Sequence, residues 1–174
     1  MVVPCTLSFL TARCDRIFFM RLTSNDSSFQ LTVLGYQHPD AAGEPYDANW
    51  LSIQVYASGP QGTWTGTDSC LLTYEAARLV DWLEAVSAGS EPARAISFLE
   101  PVLLFRLVSI EDGRVLRVHF GNLINPSWRN LEERAPVANP DIWLDFPLSE
   151  VDLSAAAHEL RQQIRRYPSR AEDG

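Results

Sequence analysis

The sequence predicts an α+β domain: a mostly antiparallel sheet of about six or seven strands with two helices packed on one face. Three observations predict it. Strand-like alternation comes in hairpin pairs. Two stretches repeat their apolar residues at helical spacing. Strands and helices do not alternate regularly, as a doubly wound fold would require.

The elements follow in chain order. Phe29-Gln30-Leu31-Thr32-Val33 alternates and opens the first strand, which continues apolar to Tyr36. A polar loop bearing proline and glycine, Gln37 to Tyr46, separates it from the next. Leu51, Ile53, Val55 and Ala57 then share one face of a strand, with Trp50, Ser52, Gln54 and Tyr56 on the other. Ser58-Gly59-Pro60-Gln61-Gly62 is turn chemistry, so Thr63 to Thr67 returns as the hairpin partner, with Trp64 toward a core.

Thr73 is the expected N-cap of a helix, and Glu75 suits the positive end of its dipole. Ala76, Leu79, Val80, Leu83 and Val86 form its apolar stripe, and Gly89 stops it. Ile96 to Leu99 reads as a short strand ended by Glu100-Pro101, because proline cannot donate to a ladder. Leu103–Ile110 and Arg114–Phe120 form the plainest hairpin, joined at Glu111-Asp112-Gly113. After a long ordered loop, Gly121 to Pro140, comes a last strand, Ile142–Leu148. The second helix begins between Ser149 and Ser154, buries Leu153, Ala156, Ala157, Leu160 and Ile164, and ends before Pro168. Arg161, Arg165 and Arg166 in its last turns complement the dipole. Trp64, Trp82 and Trp143 fall on core faces, whereas Trp50 and Trp128 sit beside loops, as interface anchors or as lids over the core.

A chain of 174 residues suits one domain, large enough to bury ~70% of its unfolded surface. Every basic residue is arginine, and without lysine there is no candidate Schiff-base or P-loop lysine. The net charge is −8, unevenly spread: Met20–Leu160 holds 8 arginines against 19 acids, net −11, and Arg161–Gly174 holds 4 against 2, net +2. An acidic body repels a phosphate backbone, so nucleic acid is not the expected partner, whereas a basic protein surface would be steered toward it. Cys5, Cys14 and Cys70 lack disulfide or zinc spacing and fit a reduced cytoplasmic setting, with Cys70 a small buried hydrophobe. No apolar run reaches membrane-spanning length.

Catalytic signatures are missing: there is no GxSxG, GxGxxG or Walker-type loop, and His38, His119 and His158 lie far apart. No catalytic residue, metal or cofactor is expected. His119 reads as structural or as lying on a sheet face, His158 as solvent-facing. Glu100, at the end of Ile96-Ser97-Phe98-Leu99, is the single acid expected to be partly buried, paired with Arg106 or Arg117. The acids of loops and turns read first as a solvated surface.

The order Asp47-x-Asn49-Trp50-Leu51, Gly62-x-Trp64, Leu72-Thr73 before a helix ending Trp82-Leu83, then Ser97-Phe98-Leu99-Glu100-Pro101, resembles the WapI-type family of bacterial immunity proteins. The resemblance spans Phe29 to Arg170 and includes the closing Tyr167-Pro168-x-Arg170. It implies a small cytosolic protein, without enzymatic activity, that binds and neutralises a cognate toxin, commonly a nuclease. The shared positions read as fold positions, so no toxin-binding residue transfers. On this reading the candidate partner-binding residues are Asp47, Glu100, Glu111, Asp112, Glu132 and Glu133, facing a basic toxin surface. The alternative is a non-catalytic ligand-binding or regulatory domain, with Ser52, Gln54, Tyr56 and the threonines near Trp64 as its platform.

Residues 20–170 form the expected single domain, residues 171–174 a disordered tail, and residues 1–19 a non-native or disordered extension with no basic n-region of a signal peptide. Intact mass of the protein from its native host checks the last point. A mass starting at Met20 is expected, and one that includes Met1 would refute a mis-called start.

Overall fold

Hairpin pairing builds two sheets where the sequence suggested one. A computed structural model describes residues 18–41, 44, 46–90, 92–121, 124, 126 and 142–170. The first antiparallel sheet has the order β1 (Met20–Thr23), β2 (Ser28–Tyr36), β3 (Trp50–Gly59), β4 (Gly62–Leu72). The second has the order β5 (Ala95–Ser97), β6 (Leu103–Ile110), β7 (Gly113–Phe120), β8 (Trp143–Pro147). Helix α1 (Thr73–Ser87) follows β4, and α2 (Leu153–Ile164) follows β8.

The single-sheet expectation is corrected for a local reason. β4 runs straight into α1, which carries the chain off the sheet, and the returning β5 is only three residues long and pairs with β6. No ladder therefore joins β4 to the second hairpin. Each sheet instead buries its apolar face against the other in one shared core. Leu51, Ile53, Val55 and Ala57 supply one side, and Phe105, Leu116, Val118 and Phe146 the other. At the seam the Phe29 ring meets Phe105 edge-on and Phe120 tilted, both at 5.9 Å, while Trp64 meets Phe120 edge-on at 5.2 Å. Such aromatic pairs add about 0.5–1.5 kcal/mol each beyond their burial.

The two helices pack on one another, and α2 lies along β1 and β2. Arg161 bridges them, its guanidinium 2.6 Å from Glu84 and 3.5 Å from Asp81. Asp152 caps α2, its Oδ1 accepting from the Ala155 N–H at 2.9 Å. β1 precedes the first strand that the alternation predicts, and it covers β2 only as far as Met20 opposite Leu31. Beyond that point the buried Gln163 amide of α2 takes over the ladder. Its Oε1 accepts from the Val33 N–H at 2.7 Å, and its Nε2 donates to the Leu31 carbonyl at 3.2 Å. A side-chain amide thus supplies the donor and acceptor that the missing strand would have offered.

The start of α1 departs from expectation. Leu72 occupies the cap position, and Thr73 is the first helical residue. The Thr73 hydroxyl donates instead to Asn49 Oδ1 at 2.9 Å, and the same oxygen accepts from the Arg170 N–H at 2.9 Å and the Ser169 hydroxyl at 3.3 Å. Asn49 is fully buried. Arg170 stacks on the Tyr36 ring at 3.5 Å and donates to the His38 and Pro39 carbonyls. The chain's closing segment is thereby pinned to the loop after β2 and to the entry of β3.

Phe29→Ala is expected to cost about 3–5 kcal/mol, because both sheets line the resulting cavity. Asn49→Ala, which orphans the buried Thr73 hydroxyl and the Arg170 amide and frees the exposed Ser169 hydroxyl to water, should cost about 2–3 kcal/mol, and Ser169→Ala under about 0.5 kcal/mol. Urea unfolding of the three variants checks the order.

Candidate functional site

An irregularity in β4 creates the most distinctive concavity. Leu51 pairs with Leu71 but Ile53 with Asp68, so β4 carries one extra residue across that step. The bulge lets three consecutive side chains, Thr67, Asp68 and Ser69, line the same cavity, of about 640 Å³. Trp50 and Ser52 continue it on the outer face of β3, and Gln37 and His38 wall it from the loop after β2. Glu100 and Val102, from the turn into β6, close it from the second sheet. The cavity therefore straddles both sheets.

Its electrostatics are acidic. Asp47, Asp68 and Glu100 all line it, and none has an ion-pair partner among the described residues. Asp68 Oδ1 accepts from the Ser69 N–H at 2.8 Å, while Oδ2 is enclosed with no partner among the described residues. Cys70, which with Ser69 forms the bulge opposite Ser52, is buried and free. Burial above all pushes its thiol well above the ordinary thiol range, and the nearby charges of Asp68, Glu75 and Glu100 push the same way. It is an inert hydrophobe, as the sequence suggested, and not a nucleophile.

The structure brings together two of the six sequence-predicted acids and separates others. Asp47 and Glu100 share the cavity. Glu111 and Asp112 lie exposed in the β6–β7 turn, at the opposite end of β6 from Glu100. Glu132 and Glu133 fall outside the described residues, as do Trp128, Cys5 and Cys14. Asp68 was missed. Its only signal was a break in the Thr63, Thr65, Thr67 alternation by Asp68-Ser69.

Glu100 is corrected in both respects. It is exposed, and Arg117 instead holds Asp145 through two contacts of 2.7 and 2.8 Å. That pair, led by the hydrogen bond, raises the Arg117 pKa. The buried acid is Glu75, 3% exposed. Its Oε2 accepts from the Leu72 N–H at 3.1 Å and its Oε1 from the Leu99 N–H at 2.7 Å. One carboxylate thus caps α1 and ties it to the segment leading to Glu100.

Trp143 is also corrected. It lies half-buried on the outer face of β8, where Arg117 stacks on it at 4.6 Å, whereas Trp64 and Trp82 are buried as expected. His119 is buried beside Trp143, on the same outer face. His158 is exposed.

Among the described residues no three His, Cys, Asp or Glu side chains are grouped to hold a metal ion. No described helix is long and apolar enough to cross a membrane.

The Asp47-x-Asn49-Trp50 and Tyr167-Pro168-x-Arg170 segments, far apart in sequence, meet at the buried Asn49 amide. The chain matches the immunity protein WapI-like family over residues 20–168, from the first residue of β1, and belongs to that family. None of the curated proteins compared with it matches.

The Cys70 thiol supplies a check on this part of the fold. With Cys5 and Cys14 replaced by serine, no thiol should react with a disulfide reagent in the native protein and one should react in denaturant. The raised folded pKa also sets a sign. Above the ordinary thiol pKa, about 8.5, only the unfolded chain loses the Cys70 proton, so stability falls as pH rises. The stability advantage of the parent over Cys70→Ala should shrink between about pH 9 and 11, measured by urea midpoints.

Proposed function

We propose that this chain is a non-enzymatic immunity protein that binds and neutralises a cognate bacterial toxin through the acidic cavity surface, with a basic nuclease domain as the toxin. The observation that carries the reading is the convergence of Asp47, Asp68 and Glu100, from both sheets, on one cavity without counter-ions among the described residues. Unpaired carboxylates around a half-buried tryptophan fit an arginine or lysine side chain of a partner, which would satisfy the enclosed Asp68 oxygen and stack on Trp50. Net charge −8 adds long-range steering. Family membership supports the toxin-directed role.

A second reading, a ligand-binding or regulatory domain, is favoured by Ser52 and Thr67, which present hydroxyls to the same cavity. A small molecule retained in native mass spectra and lost in Ser52→Val would select it.

Co-expression with a candidate toxin gene from the same host should let cells survive, and cells that express the toxin without this protein should die. In purified form the triple variant Asp47→Asn, Asp68→Asn, Glu100→Gln should bind the toxin about 10–100-fold more weakly, chiefly through a slower association rate that loses its salt dependence. Unchanged binding by the triple variant would remove the cavity from the interface. Death of co-expressing cells would remove the immunity reading itself.

A further inference from the structure

At the far edge of the second sheet the ladder stops early. β5 pairs Ala95 with Arg106, and the Leu107 N–H still reaches the Arg94 carbonyl at 2.8 Å. There the strand is drawn away. The Ala93 carbonyl accepts from the Trp82 indole of α1 at 2.8 Å, and Pro92 has no N–H to continue. Main-chain groups alternate sides along a strand, so Ser109, like Leu107, points its N–H and C=O away from β7. The β6–β7 hairpin agrees, because its two-residue turn makes Ile110 and Gly113 the bonded pair and leaves Ser109 and Arg114 unbonded to each other. Ser109 is exposed, and its main chain has no partner among the described residues.

Around this open edge lies a cleft of about 540 Å³, lined by Pro92, Arg94, Arg106, Val108, Ser109 and Arg114 among others. All three arginines are exposed, and none makes an ion pair or side-chain hydrogen bond among the described residues. Arg94 and Arg114 flank the open edge on the face of Leu107 and Ser109, and Arg106 flanks it on the opposite face, in a chain of net charge −8.

We infer that the β6 edge at residues 107–110 is a docking site for an extended, acidic segment of a partner protein, which adds as a strand beyond the end of β5. The main chain of Ser109 supplies a donor and an acceptor in ladder geometry, and Arg94, Arg106 and Arg114 pair with the segment's carboxylates. Charge complementarity selects this occupant. A basic segment is repelled at the cleft, and a polynucleotide is repelled by the acidic body around it. The inference rests on the immunity reading only in that the segment belongs to the toxin, and its chemistry is opposite to that of the acidic cavity. A toxin that offers a basic side chain to one site and an acidic strand to the other is recognised with a defined orientation.

The test uses the full chain and a short peptide with consecutive glutamates between threonines, which offers carboxylates to both faces of the added strand, with the lysine counterpart as control, so it needs no toxin and its failure leaves the immunity reading standing. The acidic peptide should bind, slow hydrogen exchange of the Ser109 amide and weaken with salt. Each of Arg94→Ser, Arg106→Ser and Arg114→Ser should weaken it about threefold. Ser109→Pro, which removes the offered N–H without touching the β6–β7 bonds, should abolish binding of the acidic peptide. Equal binding of both peptides would overturn the inference, as would binding without protection at residues 107–110 or preferential binding of a polynucleotide. So would arginine variants that self-associate while their peptide affinity is unchanged, because the arginines would then only guard the edge against pairing.

Discussion

Two sheets with no hydrogen bond between their strands can hold a fixed spacing only through side chains. Here that task falls to the Phe29 ring, wedged against Phe105 and Phe120, seconded by Trp64 on Phe120. Packing of this kind is steep in distance and non-directional in register, so it sets how far apart the sheets stand but not how they slide. The sliding freedom is removed at one end by Glu75, whose two oxygens hold the amides of Leu72 from the first sheet's exit and Leu99 from the β5–β6 connection of the second. The acidic cavity exists because of these two restraints. Its Asp68 wall belongs to β4 and its Glu100 wall to the turn before β6, and the gap between them is whatever the aromatic seam and the Glu75 tie leave open.

Much of this was legible in the chain and some was not, for identifiable reasons. The alternation of Leu51, Ile53, Val55 and Ala57, the β6–β7 hairpin and both helical stripes rest on local periodicity, and the strands and helices stand where that periodicity put them. Division into two sheets is not a local property: it depends on which strand β5 chooses as neighbour, and a three-residue strand carries almost no signal of its own. Trp143 illustrates a readable clue passed over. Leu144 and Phe146 alternate with it, and they take the inner face, which leaves the tryptophan outside.

The candidate site was legible only by halves. Asp47 and Glu100 were visible as candidate acids beside fold motifs, but the residue that gives the cavity its enclosed charge, Asp68, depends on a bulge. A bulge is a mismatch between two strands and has no signature in either one alone. The expectation of a buried Glu100 missed in a similar way. The apolar run before it does lead into the interior, but the carboxylate that meets the backbone there arrives from α1, 24 residues earlier than the amide it accepts from at Leu99. Burial of the run was inferred correctly and its charge partner was not.

The Gln163 amide that completes the ladder of β2 has a consequence in time. It joins Val33 to a residue 130 positions downstream, and Arg170 closes on Asn49 across 121. On a ribosome β1 to β4 emerge long before either partner, so the first sheet waits with its β2 edge unfinished and the loop beside the acidic cavity unanchored. Contacts of such long range are slow to form and expose edges meanwhile. The cavity wall at Gln37 and His38 is therefore among the last parts of the protein to be set. A chain released before residue 163 would hold most of the core yet lack the two clasps that give its recognition surface a shape.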